Sequence, residues 1–386
     1  MTGRDAALVN QFRPERQPVR FAERSGRSTE IASLVYCPRS KEIVLALRNT
    51  QPERAVVGGR TYTLHTLPSR YLEGSPVRRD VLSLQGLAGP YAAFGCPVSS
   101  ISLAETGGDI LVFAVAQERA SPGNVFSTRL MPYDWGPERG NARSPFQMTT
   151  SNFATLGTTS ATALWQTSIN PSQDTVAVAG TLGVWSLDLE CTPKDRLSIT
   201  RRDYAEPEDD ETRAVDWLDH HTIAAGSGQI YLWDQRSGGA SQRFRCKGRV
   251  TGIQNPDRGL LAGEDGGGWA GQTLLVSTNR YINLFDVRYV SKSRPLLSWR
   301  HEHEGPQIAL TANGQGLFAA ADRDSYVHVY STRTGSEVTR LRRPEDWRGK
   351  GTLASLQWYE DGDGRPGLRA LQGGDVVEWS WTGMDD

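Results

Sequence analysis

Two stretches of the chain decide its fold: Gln229-Ile-Tyr-Leu-Trp-Asp-Gln-Arg236 and, 52 residues later, Tyr281-Ile-Asn-Leu-Phe-Asp-Val-Arg288. Each has the length of a β-strand and is rich in β-branched and aromatic residues. Each ends in an aromatic residue, an aspartate and, two positions further on, an arginine. A segment of small residues and a tight turn precede the first stretch, Ile223-Ala-Ala-Gly-Ser-Gly228. Both stretches therefore predict strand pairs of one repeated unit.

The same unit recurs along the chain at regular spacing. Five segments end alike, and their aromatic anchors are 48, 52, 45 and 49 residues apart: Trp185, Trp233, Phe285, Tyr330 and Trp379. A WD-repeat blade takes about 40–45 residues, and loop insertions lengthen it. The units resemble WD repeats over residues 160–382, and this resemblance implies an all-β, seven-bladed WD-repeat β-propeller.

The first 160 residues are less regular but contain two further candidate blades. The segment Asp109–Ala116 and the segment Asn124–Leu130, separated by a Pro-Gly turn, predict two adjacent strands. Arg60-Thr-Tyr-Thr-Leu-His65 predicts the same element of an earlier blade. Anchors near 63 and 127 bring the blade count to seven, and six blades with a decorated N-terminal region is the alternative. We expect a flexible tail over 1–17 and a single propeller domain over 18–386.

The composition excludes several classes of protein. Hydrophobic residues make up 38% of the 386 residues and charged residues 23%, with a net charge of −1, which argues against disorder and against a strongly basic nucleic-acid module. No segment approaches the ~18–20 apolar residues of a membrane span, and the N-terminus has no apolar signal core. Four widely spaced cysteines without CxxC spacing indicate reduced thiols in a nuclear or cytoplasmic protein: Cys37, Cys96, Cys191 and Cys246.

The sequence contains no recognisable catalytic motif. It has no GxSxG nucleophile elbow, no Walker loop and no dinucleotide fingerprint opening a helix. The glycine-rich segment 263–268 is followed by Trp269-Ala-Gly rather than by a helix, so a loop is favoured over a phosphate-binding site. We therefore expect a protein that is not an enzyme, with no cofactor and no small-molecule substrate. A hydrolase-type propeller is the rival class.

One histidine pair raises the question of a metal site. In His301-Glu-His303 two imidazoles lie on one face of an extended segment, but no third ligand stands at a suitable distance, and zinc sites need at least three protein ligands. WD repeats commonly use a histidine at the start of a blade to bond an aspartate of a later turn. His303 and Asp324 hold such positions, so a structural role is predicted for both, with no metal.

The strongest functional signal is the pair of boxes Trp233-Asp-Gln-Arg236 and Phe285-Asp-Val-Arg288. They resemble the tandem Trp-Asp-x-Arg box of the WD-repeat substrate receptors of cullin-4 ubiquitin ligases. That resemblance implies docking onto the damaged-DNA-binding adaptor protein through an adaptor-binding set of four residues: Arg236, Arg288, Asp234 and Asp286. The alternative is purely structural, because Trp-Asp is a hallmark of WD repeats in general. The second box also departs from the motif by Phe285 in place of tryptophan.

Three further segments are similar, in their order, to the branch of the fourth cullin-4-associated factor: residues 108–123, residues 341–359, and Pro366-Gly-Leu368 with Gly373-Gly-Asp375. The implied partners are the cullin-4 adaptor and an unknown target protein. A WD-repeat scaffold subunit of a ribosome-assembly, RNA-processing or chromatin complex is the alternative. Arginine outnumbers lysine 38 to 5, which suits phosphate contacts, yet the balanced total charge disfavours nucleic acid as a partner.

Overall fold

The computed structural model describes only part of the chain: residues 19–20, 29–37, 42–49, 61–68, 88–94, 98–106, 109–116, 123–132, 146–156, 164–180, 183–188, 202–203, 212–237, 239–258, 271–292, 294–303, 308–341, 355–360, 366–372 and 375–380. The described residues form two compact units, one within Val19–Thr212 and the other within Arg213–Asp386. The flexible tail expected over 1–17 lies outside the described residues.

The first unit begins with the short strand β1 (Val19–Arg20) and continues as three antiparallel meanders of four strands. The first meander comprises β2 (Thr29–Cys37), β3 (Glu42–Asn49), β4 (Thr61–Pro68) and β5 (Ala88–Phe94). The second comprises β6 (Val98–Thr106), β7 (Asp109–Ala116), β8 (Gly123–Pro132) and β9 (Phe146–Leu156). The third comprises β10 (Leu164–Ile169), β11 (Thr175–Gly180), β12 (Gly183–Asp188) and β13 (Arg202–Asp203).

The second unit repeats this arrangement. Its first meander comprises β14 (Ala214–Trp217), β15 (Thr222–Gly226), β16 (Gln229–Asp234) and β17 (Gly239–Arg245). The next comprises β18 (Val250–Gln254), β19 (Thr273–Thr278), β20 (Tyr281–Asp286) and β21 (Leu297–Arg300), with a 3-10 helix at Val287–Lys292. The third comprises β22 (Leu310–Ala312), β23 (Leu317–Ala321), β24 (Val327–Ser331) and β25 (Glu337–Leu341). The chain then forms β26 (Ser355–Glu360), β27 (Pro366–Gln372) and β28 (Asp375–Ser380), paired in that order.

These meanders are the blades of a β-propeller, so the predicted all-β propeller class is confirmed. Every aromatic anchor falls in the third strand of its blade, as Trp233 in β16 and Phe285 in β20. Small side chains are frequent in several second strands, and the Thr-Val-Ala-Val-Ala-Gly sequence of β11 is buried throughout. Small side chains let the neighbouring blade pack closely against the sheet face, which explains their place in the repeat.

The predicted strands of the first 160 residues are also present. β7 and β8 pair antiparallel from Ile110 opposite Leu130 to Ala116 opposite Asn124, as the Pro-Gly turn between them indicated. The segment predicted over 60–65 is the beginning of β4. Among the described residues there is no α-helix, and no helix is long and apolar enough to span a membrane.

Within the second unit the blades contact one another along their first strands, β14 to β18, β18 to β22 and β22 to β26. Aromatic side chains fill the space between neighbouring sheets: the rings of Phe244 and Phe285 are 5.0 Å apart, and those of Trp299 and Phe318 are 4.9 Å apart. Cys246 is a free thiol packed against the first of these contacts, and burial raises its pKa to about 12. That cysteine is therefore an unreactive packing residue.

The turns between first and second strands are built on asparagine or aspartate side chains. Oδ1 of Asn170 accepts the backbone N–H of Thr175, Oδ1 of Asp219 that of Thr222, and Oδ1 of Asn313 that of Leu317. Gly271, with φ +46°, lies where a Cβ atom would come within 2.6 Å of the Leu218 carbonyl oxygen of the preceding blade. Only glycine fits that close approach without displacing backbone.

Candidate functional site: two Asp-x-Arg turns

The first candidate site is the turn that follows β16. The guanidinium of Arg236 folds back onto Asp234, with Nε donating to Oδ1 at 2.9 Å and Nη2 donating to Oδ2 at 2.7 Å. The backbone N–H of Arg236 donates to the same Oδ1 at 2.9 Å. Asp234 thus caps the turn and holds its arginine by a bidentate fork. The arginine is accessible from outside, since 68% of its side chain is exposed.

The second turn, after β20, has the same geometry. Nε and Nη2 of Arg288 donate to the two carboxylate oxygens of Asp286 at 2.9 Å and 2.6 Å, and the backbone N–H donates at 3.0 Å. In each turn the residue between aspartate and arginine donates its N–H to the carbonyl that precedes the second strand, Gln235 to His221 and Val287 to Gln272. We call this pair, Asp234–Arg236 and Asp286–Arg288, the Asp-x-Arg turns.

The arginine fork changes the electrostatics of both aspartates. The side-chain hydrogen bond from Arg236 lowers the pKa of Asp234 to about 2, and the bond from Arg288 lowers the pKa of Asp286. The pKa of each arginine is raised in turn by its hydrogen bond to the aspartate. Each pair is therefore ionised but locally neutral at pH 7. The guanidinium edge that faces away from the aspartate can still donate hydrogen bonds to an acceptor of another molecule.

Topology places both turns at one edge of the second unit. First and third strands of a meander run in the same direction, so the turns that follow them share an edge. This edge is here called the turn edge, and its described residues are 218–221, 235–237, 255–258, 271–272, 287–292, 294–296, 313–316 and 332–336. The two Asp-x-Arg turns belong to adjacent blades. The 3-10 helix that contains Arg288 contacts β17 of the preceding blade, and its first residue, Val287, packs against the core shared by Phe244 and Phe285.

The structure also gives the positions of the predicted anchors. Trp233 is 3% exposed and stacks on Tyr231 with ring centroids 5.2 Å apart, and Phe285 is buried against Phe244. The remaining anchors are equally buried: Trp185, Tyr330 and Trp379. The aromatic residue of each box thus contacts the core, while its arginine faces solvent two residues later.

The pairing predicted between His303 and Asp324 stays a prediction, and both residues lie in the described part of the chain. Asp324 faces solvent, its carboxylate is 3.9 Å from Nε of Arg323, and its backbone N–H donates to Asp322. His303 is buried, and its backbone N–H donates to the carbonyl of Asn279. The turn aspartate is Asp322, which accepts a hydrogen bond from Nε2 of His328 at 2.9 Å.

The other histidine of that segment has a structural role of its own. Nε2 of His301 donates to the carbonyl of Ala321 at 2.9 Å, and Nδ1 lies 3.2 Å from the hydroxyl of Tyr330. Burial lowers the pKa of His301 to about 4, so the ring is neutral at pH 7. In the described part of the chain, no group of three His, Cys, Asp or Glu side chains is placed to hold a metal ion.

Sequence reasoning missed two exposed residues beside the second turn. Tyr289 directly follows Arg288, is 63% exposed, and lies with its ring centroid 5.6 Å from the guanidinium carbon of that arginine. Leu296, at the end of the same turn segment, is 57% exposed. A large apolar side chain next to an oriented arginine is a common composition for a protein-binding surface. The repeat pattern contains no signal for either residue.

Comparison with known proteins shows the fold and nothing finer. No family model matches the chain, and no curated protein matches it. Among solved structures it is similar to one described as "COPII on membranes, outer coat vertex", with a TM-score of 0.62 and 10% identity, over 92% of this chain and 84% of that one. It is also similar to "The structure of the COPII coat assembled on membranes", with the same TM-score and identity, over 47% of that chain. At this identity the likeness establishes a β-propeller, a fold typical of protein-interaction scaffolds.

Proposed function

We propose that this chain is a non-catalytic protein-interaction propeller that acts as a substrate receptor of a cullin-4 ubiquitin ligase. In this role it docks onto the damaged-DNA-binding adaptor through Arg236 and Arg288. The observation that supports the proposal is the identical geometry of the two Asp-x-Arg turns in adjacent blades at one edge. Two oriented guanidinium groups at neighbouring positions suit a single partner surface.

The fork onto aspartate determines which kind of contact these arginines favour. Nε and one N–H of Nη2 are occupied by the carboxylate, so Nη1 and the second N–H of Nη2 remain to point outward. Because each pair is locally neutral, covering it in an interface costs less desolvation than covering a lone cation. Oriented neutral pairs are suited to backbone carbonyls and hydroxyls of the adaptor rather than to a strongly acidic surface.

We also propose that the blades close into one seven-bladed ring over residues 18–386. The support is that each predicted anchor position, near 63 and 127 as well as the five clear ones, lies in the third strand of a meander. A closed ring removes exposed sheet edges, because every blade packs against two others. A nuclear or cytoplasmic location follows from the proposed partner and not from the structure.

The test is affinity purification of the tagged chain with and without the double substitution Arg236→Ala/Arg288→Ala. Loss of one buried, oriented arginine contact costs about 2–5 kcal/mol of binding free energy, so adaptor recovery should fall at least tenfold. The matched control is Arg333→Ala, because Arg333 occupies the same position in the next blade but follows Ser331 instead of an aspartate. The control should recover the adaptor normally.

Unchanged adaptor recovery by a folded double variant would overturn the receptor proposal. The boxes would then be ordinary blade architecture. Recovery of ribosome-assembly, RNA-processing or chromatin factors in place of the adaptor would favour the alternative, a scaffold subunit. Turnover of a test ester or peptide that depends on one histidine or serine would overturn the non-catalytic assignment.

A further inference from the structure

The connection between β21 and β22 is held between two turns by backbone hydrogen bonds. The N–H of His301 donates to the carbonyl of Arg280 at 2.8 Å, and the N–H of His303 to that of Asn279 at 3.0 Å. On the other side the N–H of Arg323 donates to the carbonyl of Glu302 at 3.1 Å. Residues 279–280 and 322–325 are the turns between second and third strands of adjacent blades. Three arginines distant in sequence are thereby brought together: Arg280, Arg300 and Arg323.

Two of these arginines contact the carboxylate of Glu302, and the charge of the third acts on it from a greater distance. Nη2 of Arg300 is 2.9 Å from Oε1 of Glu302, and Nη1 of Arg323 is 3.2 Å from Oε2. The hydrogen bond from Arg300 lowers the pKa of Glu302, and the charges of Arg323 and Arg280 lower it further. The group is open to solvent, with 79% of the Arg300 side chain exposed. Asp324 also lies 3.9 Å from Nε of Arg323, so two carboxylates stand beside three guanidinium groups and leave an excess of positive charge.

A second basic segment adjoins this cluster. The connection from β17 to β18 carries exposed cations on both sides of Gly248, and a Cβ atom on that glycine would lie 3.4 Å from Cβ of Thr278, beside the Arg280 turn. The N–H of Val250 donates to Ser227 of the preceding turn at 2.7 Å. The turns between second and third strands, together with the connections from one blade to the next, form the connector edge, which is opposite the turn edge. Its exposed cations, here called the cationic face, are Arg245, Lys247, Arg249, Arg280, Arg300 and Arg323.

The charge of this face is unbalanced, whereas that of the whole chain is not. Among the described turns, connections and strand ends at this edge of the three blades, the six exposed cations stand against two exposed carboxylates, Glu302 and Asp324, and the half-buried carboxylate of Asp322. The complete chain has a net charge of −1. Concentrating cations at one edge produces a local positive potential that attracts an anionic partner and raises its association rate. The backbone hydrogen bonds described above hold the segments that bear these arginines in place before a partner binds.

We infer that the cationic face binds an acidic segment of a partner protein, one whose glutamate or aspartate side chains are separated by uncharged residues. This inference rests on the proposed protein-interaction role, but not on the Asp-x-Arg turns or on the adaptor. Arginine forks match carboxylates in geometry. Glu302 and Asp324 lie among the arginines and repel a continuous phosphodiester backbone, whereas separated carboxylates avoid them. Tyr281, exposed next to Arg280, offers apolar contact to the same segment.

The experiment measures binding of a fluorescent twelve-residue peptide of alternating glutamate and serine to the full chain by anisotropy. The test variant is Arg280→Glu/Arg323→Glu. The matched control is Arg294→Glu/Arg333→Glu, which makes the same change of net charge at exposed positions of the turn edge. The test variant should weaken binding about tenfold or more, and the control less than about threefold, because charge–charge contacts act over short distances in salt. Urea unfolding verifies that both variants are folded.

Three outcomes overturn the inference. Equal weakening by both variants assigns the attraction to net charge alone, and no weakening by the test variant removes the site. If a twelve-nucleotide single strand binds more tightly than the peptide, and the test variant loses this binding, the face is assigned to nucleic acid. The assay contains no adaptor, so each of these results leaves the docking proposal standing. Failed adaptor recovery likewise leaves the peptide result unchanged.

Discussion

The Asp-x-Arg turns and the cationic face present exposed arginines in two different states. At the turns each arginine has its own aspartate two residues away and is held by a bidentate fork. At the cationic face Arg300 and Arg323 both contact Glu302, and the charge of Arg280 also acts on it. Exposure is similar in both places, so exposure does not distinguish them. The ratio of carboxylates to guanidinium groups does, and it predicts a neutral contact at one edge and an acidic partner at the other.

The contrast also concerns what holds each arginine in position. A paired arginine is fixed by its side chain and keeps only part of its donor capacity for a partner. At the cationic face backbone hydrogen bonds fix the positions of the arginines, and carboxylates balance only part of their positive charge. The first arrangement favours shape-specific docking that tolerates salt, and the second favours attraction that weakens as salt screens it.

The strongest separation should come from comparing an anchor with the arginine of the same box. Trp233→Ala removes a buried indole that stacks on Tyr231, and such truncations cost about 3–5 kcal/mol of unfolding free energy. Arg236→Ala changes an exposed side chain and should leave the urea midpoint nearly unchanged. If both variants lower the midpoint equally, the fork is part of the core and the division between anchor and contact residue is wrong.

A second prediction concerns His301 and how the stability of the chain changes between pH 6.5 and pH 4. The pKa of His301 is about 4 in the folded chain and about 6.5 when unfolded, so the unfolded chain binds more protons in this window. The free energy of unfolding should therefore fall by about 2 to 3 kcal/mol as the pH decreases across it, loosening the connection that carries the cationic face. His301→Gln should flatten this slope in urea titrations at several pH values, whereas the exposed control His220→Gln should not. A wild-type slope retained by His301→Gln would contradict the assignment.

The Asp-x-Arg turns respond only to stronger acid. Their aspartates have pKa values lowered by the arginine fork, so the stabilisation is present above about pH 4 and is lost as the pH falls towards 2. Asp234→Asn/Asp286→Asn should remove it at neutral pH at a cost of at most about 1 kcal/mol per turn, because the pairs are near the surface. Adaptor recovery should fall as well, since the freed arginines lose their orientation. Unfolding curves measured at pH 7 and pH 3 test the first part, and full recovery would contradict the second.

The smallest effect is expected from Glu302→Gln. The carboxylate is open to solvent, so the free energy of unfolding should stay nearly unchanged. Removing the carboxylate that contacts Arg300 and Arg323 should raise affinity for the acidic peptide about two- to fivefold, as measured by anisotropy. A loss of affinity would show that Glu302 orients the arginines for binding, as aspartate does at the turns.

The sequence predicted the strands because each one has a local signature. The anchors, the small-residue second strands and the Pro-Gly turn before β8 are patterns of a few residues, and these decide the meander. The bidentate forks were within reach of the same reasoning, since aspartate and arginine stand two residues apart in one turn. Sequence could not choose between Asp322 and Asp324 as the turn aspartate. Both precede Ser325, whose φ of 64° closes the turn, and only the folded turn shows that Asp322 accepts its amides.

The cationic face could not be predicted from the sequence for a different reason. Arg280, Arg300 and Arg323 are separated by about twenty residues at each step, and none belongs to a motif. They meet because a short connection lies between the turns of two blades, which is a property of packing between repeats. Contacts between repeats carry no periodic signal of their own. A repeat pattern therefore predicts the blades better than it predicts the surfaces they form together.

The bonds that seat the 301–303 connection have a consequence for how the protein changes over generations. The amide bonds join backbone to backbone, and the one side-chain bond among them comes from the buried His301, so none depends on which side chain occupies the surface positions. Substitutions at 280, 300 or 323 alter the chemistry offered to a partner while the framework beneath stays as it is. A lineage can thus acquire a new preference at this edge by single replacements, without first having to redesign a loop.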